Sequence, residues 1–248
     1  MTKVSLLKRH ILKKRKEIID IAMICFVDIE HPNAINRDEN ARSRHLARVM
    51  ERCSLFEELS GVHCLPVHFL RVNRRDLLES KVQALLISGC STDWKEYDFG
   101  GFNELFKLLK EGKIPTLALC GGHQLLAYAF GGECGSLRPL KLGEEDPNPN
   151  YHPGMLKEWG IRKVKILKKD PLFDGLGDEI AVPERNYWEI KKMPKEFVNL
   201  ASTDECQIQT IKHRQKPIYG TQFHPESYDE QHPDGKTVLT NFFRIAGI

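Results

Sequence analysis

The sequence predicts an α/β chain: a mostly parallel sheet flanked by helices on both faces, with a small antiparallel layer added in the C-terminal half. Three observations predict it. In the first half, short apolar runs alternate with helix-patterned stretches, the rhythm of a parallel sheet with crossover helices. Two of those runs end at Gly89 and Cys120, and sheets of this kind hold their ligands beyond the carboxyl ends of the strands. In the second half the apolar segments become short and turn-separated, as antiparallel strands are.

The elements follow in order. Residues 3–17 intersperse Val4, Leu6, Leu7, Ile11 and Leu12 with basic residues and predict an amphipathic helix or arm, set apart from a single domain over residues 18–248. The Ile-rich run 18–29 predicts a buried strand. Residues 39–59 predict a helix with Leu46, Val49, Met50 and Leu55 as its apolar positions. Strand 62–72, a short helix over 74–81 and strand 82–88 come next. Helix 102–111 is closed by Gly112, a C-terminal stop signal. Strand 114–120 (IPTLALC) runs straight into a helix in GGHQLLAYAF. Residues 136–157, rich in Pro, Gly and acids, predict a loop. Strands are expected over 161–167, 179–182, 188–190, 198–201, 206–212 and 217–223, and a closing helix over 236–245.

Composition narrows the function. A chain of 248 residues with 41% hydrophobic content can bury a sizeable core. Seven of the 37 Lys and Arg residues fall within the first sixteen positions, with no acid among them. The remainder is therefore mildly acidic, which argues against a nucleic-acid footprint. No apolar run reaches membrane-spanning length. Seven cysteines, an odd number without a C-x-x-C, predict free thiols in a reducing compartment and hence a cytoplasmic chain. His31, His63, His68 and His152 have no ligand spacing, so no metal is assigned, nor is any cofactor.

Two segments carry chemistry. Cys120 follows an apolar strand and precedes Gly121-Gly122 and a helix. A sharp strand-to-helix turn lifts such a side chain clear of the sheet. The helix N-terminus favours its thiolate. Further on, in YGTQFHPES (219–227), His224 ends a strand and Pro225 breaks it. His224 and Glu226 are two apart and can point to one side, so the carboxylate can orient the ring. A thiol, a histidine and an acid form the set needed for nucleophilic catalysis.

LCGGHQLL and YGTQFHPES, about a hundred residues apart, together resemble the class I glutamine amidotransferase family. LLISGC (85–90), EWG (158–160), DPLFDGL (170–176) and GKTVLTNFFRIAG (235–247) extend the resemblance over most of the chain, the basic arm excepted. The resemblance implies a flavodoxin-like fold and glutamine hydrolysis to glutamate and ammonia through a cysteinyl thioester. It implies Cys120 as nucleophile, His224 as acid and base, and Glu226 as its orienter. It also implies Gly89, Cys90 and Gly121 as the oxyanion turn, with Gln124 and Gln222 bordering the glutamine pocket. The chain departs from the family pattern at Gly89-Cys90-Ser91, where Gly-Gly-Pro is frequent, and at Ala118, where Gly is. Asn186-Tyr187-Trp188-Glu189 stands where many members carry a His or Ser that helps hold the glutamine backbone.

No G-x-x-x-x-G-K-[ST] loop is present. The ammonia acceptor is therefore expected on an ATP-dependent synthetase partner, or as a small molecule bound here. Two other readings share the pattern: a γ-glutamyl peptide or conjugate hydrolase on the same fold, and a non-catalytic interaction protein that keeps it.

Overall fold

The structure, a computed structural model, describes residues 22–248. The basic arm expected over residues 1–17 lies outside the described residues. In chain order the strands are β1 (Met23–Asp28), β2 (His63–His68), β3 (Val82–Ile87), β4 (Thr116–Leu119), β5 (Glu133–Ser136), β6 (Glu158–Ile166), β7 (Glu179–Asn186), β8 (Trp188–Lys192), β9 (Phe197–Ser202), β10 (Thr210–His213) and β11 (Ile218–Thr221). The helices are α1 (Pro32–Ile35), α2 (Glu39–Ser60), α3 (Arg74–Glu79), α4 (Asn103–Glu111), α5 (Gly121–Ala129) and α6 (Asp234–Ala246).

One nine-stranded sheet has the order β2-β1-β3-β4-β11-β10-β9-β6-β7. Its first five strands are parallel, and the last four continue it antiparallel. Most of the antiparallel strands thus extend the same sheet, and only β5 and β8 form a separate two-stranded sheet.

Side-chain alternation divides the core into two faces. Cys25, Val27, Leu85, Ile87 and Ala118 point to the side covered by α4 and α5. Ile24, Phe26, Ala84, Leu86, Leu117 and Leu119 point to the side of α2 and α6. Strands buried on both faces are apolar at every position, which is why the sequence shows runs rather than alternation here.

Helix α2 begins at Asp38, whose carboxylate caps the Ala41 N–H at 2.7 Å, and ends in a left-handed Gly61. Its apolar face differs from the one the sequence predicts. Leu46 and Met50 are 53% and 56% exposed, and the helix buries Ala41, His45, Cys53 and Phe56 instead. A buried histidine in that stripe hides the period. His45 is accommodated because Asp28, at the end of β1, pairs with it at 2.7 Å.

Candidate active site

The strand β4 delivers Cys120 to a turn that few residues tolerate. Its backbone is at φ 49°, ψ −104°, in a region of strain worth ~1–3 kcal/mol for a non-glycine residue. The turn is held on both sides: the Cys120 N–H donates to Thr221 O at 2.7 Å, and its carbonyl accepts from Gln124 N–H at 3.1 Å. The next two glycines are required by space. A side chain at Gly121 would meet Cys90 Sγ at 2.7 Å, and one at Gly122 would meet Ile87 O at 2.8 Å. The strand-to-helix turn therefore lies flush against the end of β3.

Beyond β11 the chain turns at His224-Pro225-Glu226. His224 N–H donates to Pro183 O on β7, the terminal strand of the sheet, at 2.8 Å, which fixes its backbone. Its ring Nδ1 lies 2.7 Å from Glu226 Oε1, leaving the other ring nitrogen for Cys120, with which the ring pairs. Burial pushes the His224 pKa down, but the Glu226 carboxylate and the Cys120 sulfur outweigh it and raise it well above the ordinary histidine range. Burial also opposes charge on Glu226. The facing imidazolium, with Arg52 beyond it, nevertheless holds the carboxyl below the usual range. Arg52 reaches over from α2 to donate to the Glu226 carbonyl and, at 3.0 Å, to Ser227 Oγ.

The residues at the end of β3 come to the same place. A side chain at Gly89 would sit a tight 3.3 Å from Cys120 Cβ and in ordinary contact, at 3.5 Å, with His224 Cε1, so glycine keeps the approach to the pair open. The Cys90 N–H lies beside the Gly121 backbone. Neither the Cys90 nor the Gly121 amide has an acceptor among the described residues. Two free N–H groups thus flank the thiol at a helix N-terminus.

Gln222 and Gln124 form a buried relay behind the thiol. Gln222 Nε2 donates to Cys120 Sγ at 3.4 Å and its Oε1 accepts from Gln124 Nε2 at 3.0 Å. Gln124 also donates to Trp188 O at 2.9 Å and accepts from Trp94 Nε1 at 2.8 Å. Its amide is occupied by protein groups, although it still borders the pocket. His123, by contrast, is fully buried with its Nε2 3.2 Å from Ile208 O. Burial lowers its pKa to about 4, so it stays neutral and structural.

Sequence reasoning missed several participants. Glu30, just past β1, is buried and grips the turn after β3. Its Oε2 accepts from Ser91 N–H and Ser91 Oγ–H, both at 2.7 Å, and its Oε1 from Thr92 Oγ1 at 2.8 Å and His31 N–H at 2.9 Å. No local signal marks it, because the turn it grips lies 61 and 62 positions away. Tyr151 and His152, in the loop read from composition, pack on Tyr187, with His152 stacked at 3.6 Å. Asp93 ties them together, bonding Tyr187 Oη and lying 3.3 Å from His152 Nε2.

A second buried cluster lies behind His224. Gln209 Nε2 donates to Glu158 Oε2 at 2.7 Å, while Gln209 Oε1 and both Glu184 oxygens have no partner. Gln209 also contacts Glu184. Burial raises both, Glu158 to about 7 and Glu184 well above the usual carboxylate range.

Chemically, the arrangement can activate a thiol, stabilise an anion beside it and pass a proton. Among the described residues no group of three or more His, Cys, Asp or Glu side chains is placed to hold a metal, and no helix is long and apolar enough to cross a membrane.

Known proteins resemble this chain in sequence and fold. The family model for glutamine amidotransferase class-I covers residues 54–246. Among similar sequences, a GMP synthase [glutamine-hydrolyzing] subunit of Pyrococcus furiosus is 34% identical over 60% of this chain and 69% of its own. Its counterpart from Archaeoglobus fulgidus is 37% identical over 55% of this chain and 64% of its own. The crystal structure of a GMP synthase subunit from Thermoplasma acidophilum superposes with a TM-score of 0.65 at 25% identity, covering 92% of this chain and 94% of that one. A glutamine amidotransferase from Thermotoga maritima shares the fold, with a TM-score of 0.61 at 16% identity, over 90% of this chain and 97% of that one. The chain belongs to the class I glutamine amidotransferase family.

Proposed function

We propose that Cys120, His224 and Glu226 carry out the glutamine hydrolysis of this amidotransferase. The observation that supports the reading is the strained turn at Cys120 facing the Glu226-oriented ring of His224. The Cys120 thiolate attacks the γ-carbonyl carbon of glutamine. The resulting oxyanion is held by the amides of Gly121 and Cys90, while Gly89 keeps the approach clear. The raised His224 pKa keeps the ring protonated until it gives a proton to the departing ammonia. The neutral ring then takes a proton from water, which hydrolyses the glutamyl thioester to glutamate.

The ammonia passes to an ATP-dependent synthetase on a separate chain. Support comes from the similar archaeal proteins, which are named as glutamine-hydrolysing subunits of GMP synthase. The test is covalent labelling with an electrophilic glutamine analogue, mapped by mass spectrometry. Modification should fall on Cys120 among the seven thiols and slow sharply in His224→Ala. Labelling spread over other cysteines, or indifferent to His224, would contradict the assignment.

A further inference from the structure

All seven cysteines are free thiols, and two of them lie against each other away from the catalytic centre. Cys53 stands on the buried face of α2, and Cys64 is the second residue of β2. The route between them is short: α2 ends in the left-handed Gly61, and β2 starts at His63. Glu57, one helical turn beyond Cys53 on the same face, reaches across the junction. Its Oε1 accepts from the Cys64 N–H at 2.9 Å, and its carbonyl accepts from the Gly61 N–H at 2.8 Å. Cys64 is thereby held beneath α2, where its thiol and that of Cys53 share a hydrogen bond.

That contact makes the two sulfurs unequal. The hydrogen bond from Cys64 holds the Cys53 thiol below the usual thiol range, against the effect of burial, and Cys64 is raised in turn. Cys53 is therefore the attacking thiolate and Cys64 the resolving thiol. Both are nearly closed to solvent, at 2% and 9% exposure. The junction nevertheless borders a cavity of about 400 Å³ lined by Glu57, Gly61, Val62 and His63, wide enough to admit a hydroperoxide.

Arg52, the neighbour of Cys53, donates to the Glu226 carbonyl and to Ser227 Oγ. A bond between Cys53 and Cys64 would bring their sulfurs from contact to about 2.0 Å. It would draw that turn of α2 toward β2, at the end of the sheet, whereas Glu226 lies beyond β11, four strands further in.

We propose that Cys53 and Cys64 form a reversible disulfide in response to hydroperoxide, and that the bond slows glutamine hydrolysis by withdrawing Arg52 from Glu226. The Cys53 thiolate attacks one peroxide oxygen. The S–O bond forms, the O–O bond breaks, and the departing hydroxide takes a proton from solvent. Cys64 Sγ then attacks the sulfenic sulfur of Cys53. The S–S bond forms, the S–O bond breaks, and hydroxide leaves with the Cys64 proton as water. Two thiols are oxidised, hydrogen peroxide is reduced to two waters, and a dithiol reverses the change. The effect on rate rests on the role given above to Glu226; the bond itself does not.

The experiment exposes wild type, Cys64→Ser and Arg52→Gln to hydrogen peroxide and follows peptide mass and glutamine hydrolysis together. Cys53 and Cys64 share one tryptic peptide, residues 53–71. In wild type that peptide should lose two hydrogens at doses that leave Cys120 open to alkylation. Over the same doses kcat should fall about tenfold, the worth of one hydrogen bond to a charged group, with KM little changed, and dithiothreitol should restore it. Cys64→Ser should form no such bond and lose no activity at those doses. Arg52→Gln should start near the lowered rate and fall no further. Oxidation of Cys120 before the pair, no bond in wild type, or a bond that leaves kcat as it was would each overturn the inference. If untreated wild type does not hydrolyse glutamine, the assignment of the triad falls and the rate effect with it, although the bond still shows in the peptide mass.

Discussion

The three side chains at the centre are held by very different means. Cys120 is placed by backbone geometry, His224 by a backbone bond to Pro183 and a ring bond to Glu226, and Glu226 by Arg52 from α2. Removing the orienting acid should therefore leave the pair in place but poorly aimed. Glu226→Gln is expected to lower kcat by ~10²–10⁴-fold in steady-state glutamine hydrolysis, with a smaller change in KM. Gly89→Ala tests space rather than charge. Its new methyl would crowd Cys120 Cβ and touch His224 Cε1, and kcat should fall while thermal unfolding shifts little. A variant as active as wild type would show that the turn has room to give. At this scale the sequence was informative where chemistry is local: Cys120-Gly121-Gly122 and His224-Pro225-Glu226 are each contiguous. Glu30, Arg52 and Gln209 act through partners 51 to 174 positions away, and nothing near them in sequence marks the contact.

At the scale of elements, the strand ends set the site and one loop tunes it. The turn after β3 has no regular structure of its own and depends on Glu30, whose carboxylate accepts four hydrogen bonds. Glu30→Ala leaves those donors without their acceptor. Its kcat for glutamine should drop ~10–100-fold, less than the ~10²–10³-fold of removing an oxyanion donor outright, with folding retained. An unchanged kcat would show that the turn is held by other means. Strands β1, β3 and β4 were legible because burial on both faces makes them predominantly apolar. The buried face of α2 was not, because His45 occupies a core position that only the tertiary partner Asp28 makes tenable. Strand β5 was missed as well. It is four residues long and acquires its pairing from β8, more than fifty positions away.

The whole molecule carries a pH dependence built into its sheet. Glu158 has a folded pKa of about 7 against 4.5 when free, because burial disfavours its charge. The folded state therefore binds more protons than the unfolded chain between those values. Stability falls as pH rises through that window, by about 3 kcal/mol in total. Glu184, also raised, extends the fall to higher pH. Chemical denaturation of Glu158→Gln from about pH 4.5 to 8 should show a shallower decline than wild type; an identical slope would mean that Glu158 does not carry it. The family was legible from two motifs a hundred residues apart, since the parallel order β3-β4-β11 brings their strand ends together. The continuation of the sheet into β10, β9, β6 and β7 was not, because turn-separated strands do not announce whether they extend a sheet or cover it.

Glutamine hydrolysis itself is the most direct test of the central claim. Glutamate and ammonia should be measured together for wild type and Cys120→Ala, alone and with any synthetase chain that co-purifies. The account predicts equal amounts of the two products from wild type and their loss in Cys120→Ala. Hydrolysis that survives in Cys120→Ala, or a wild-type protein that forms neither product in either condition, would contradict it.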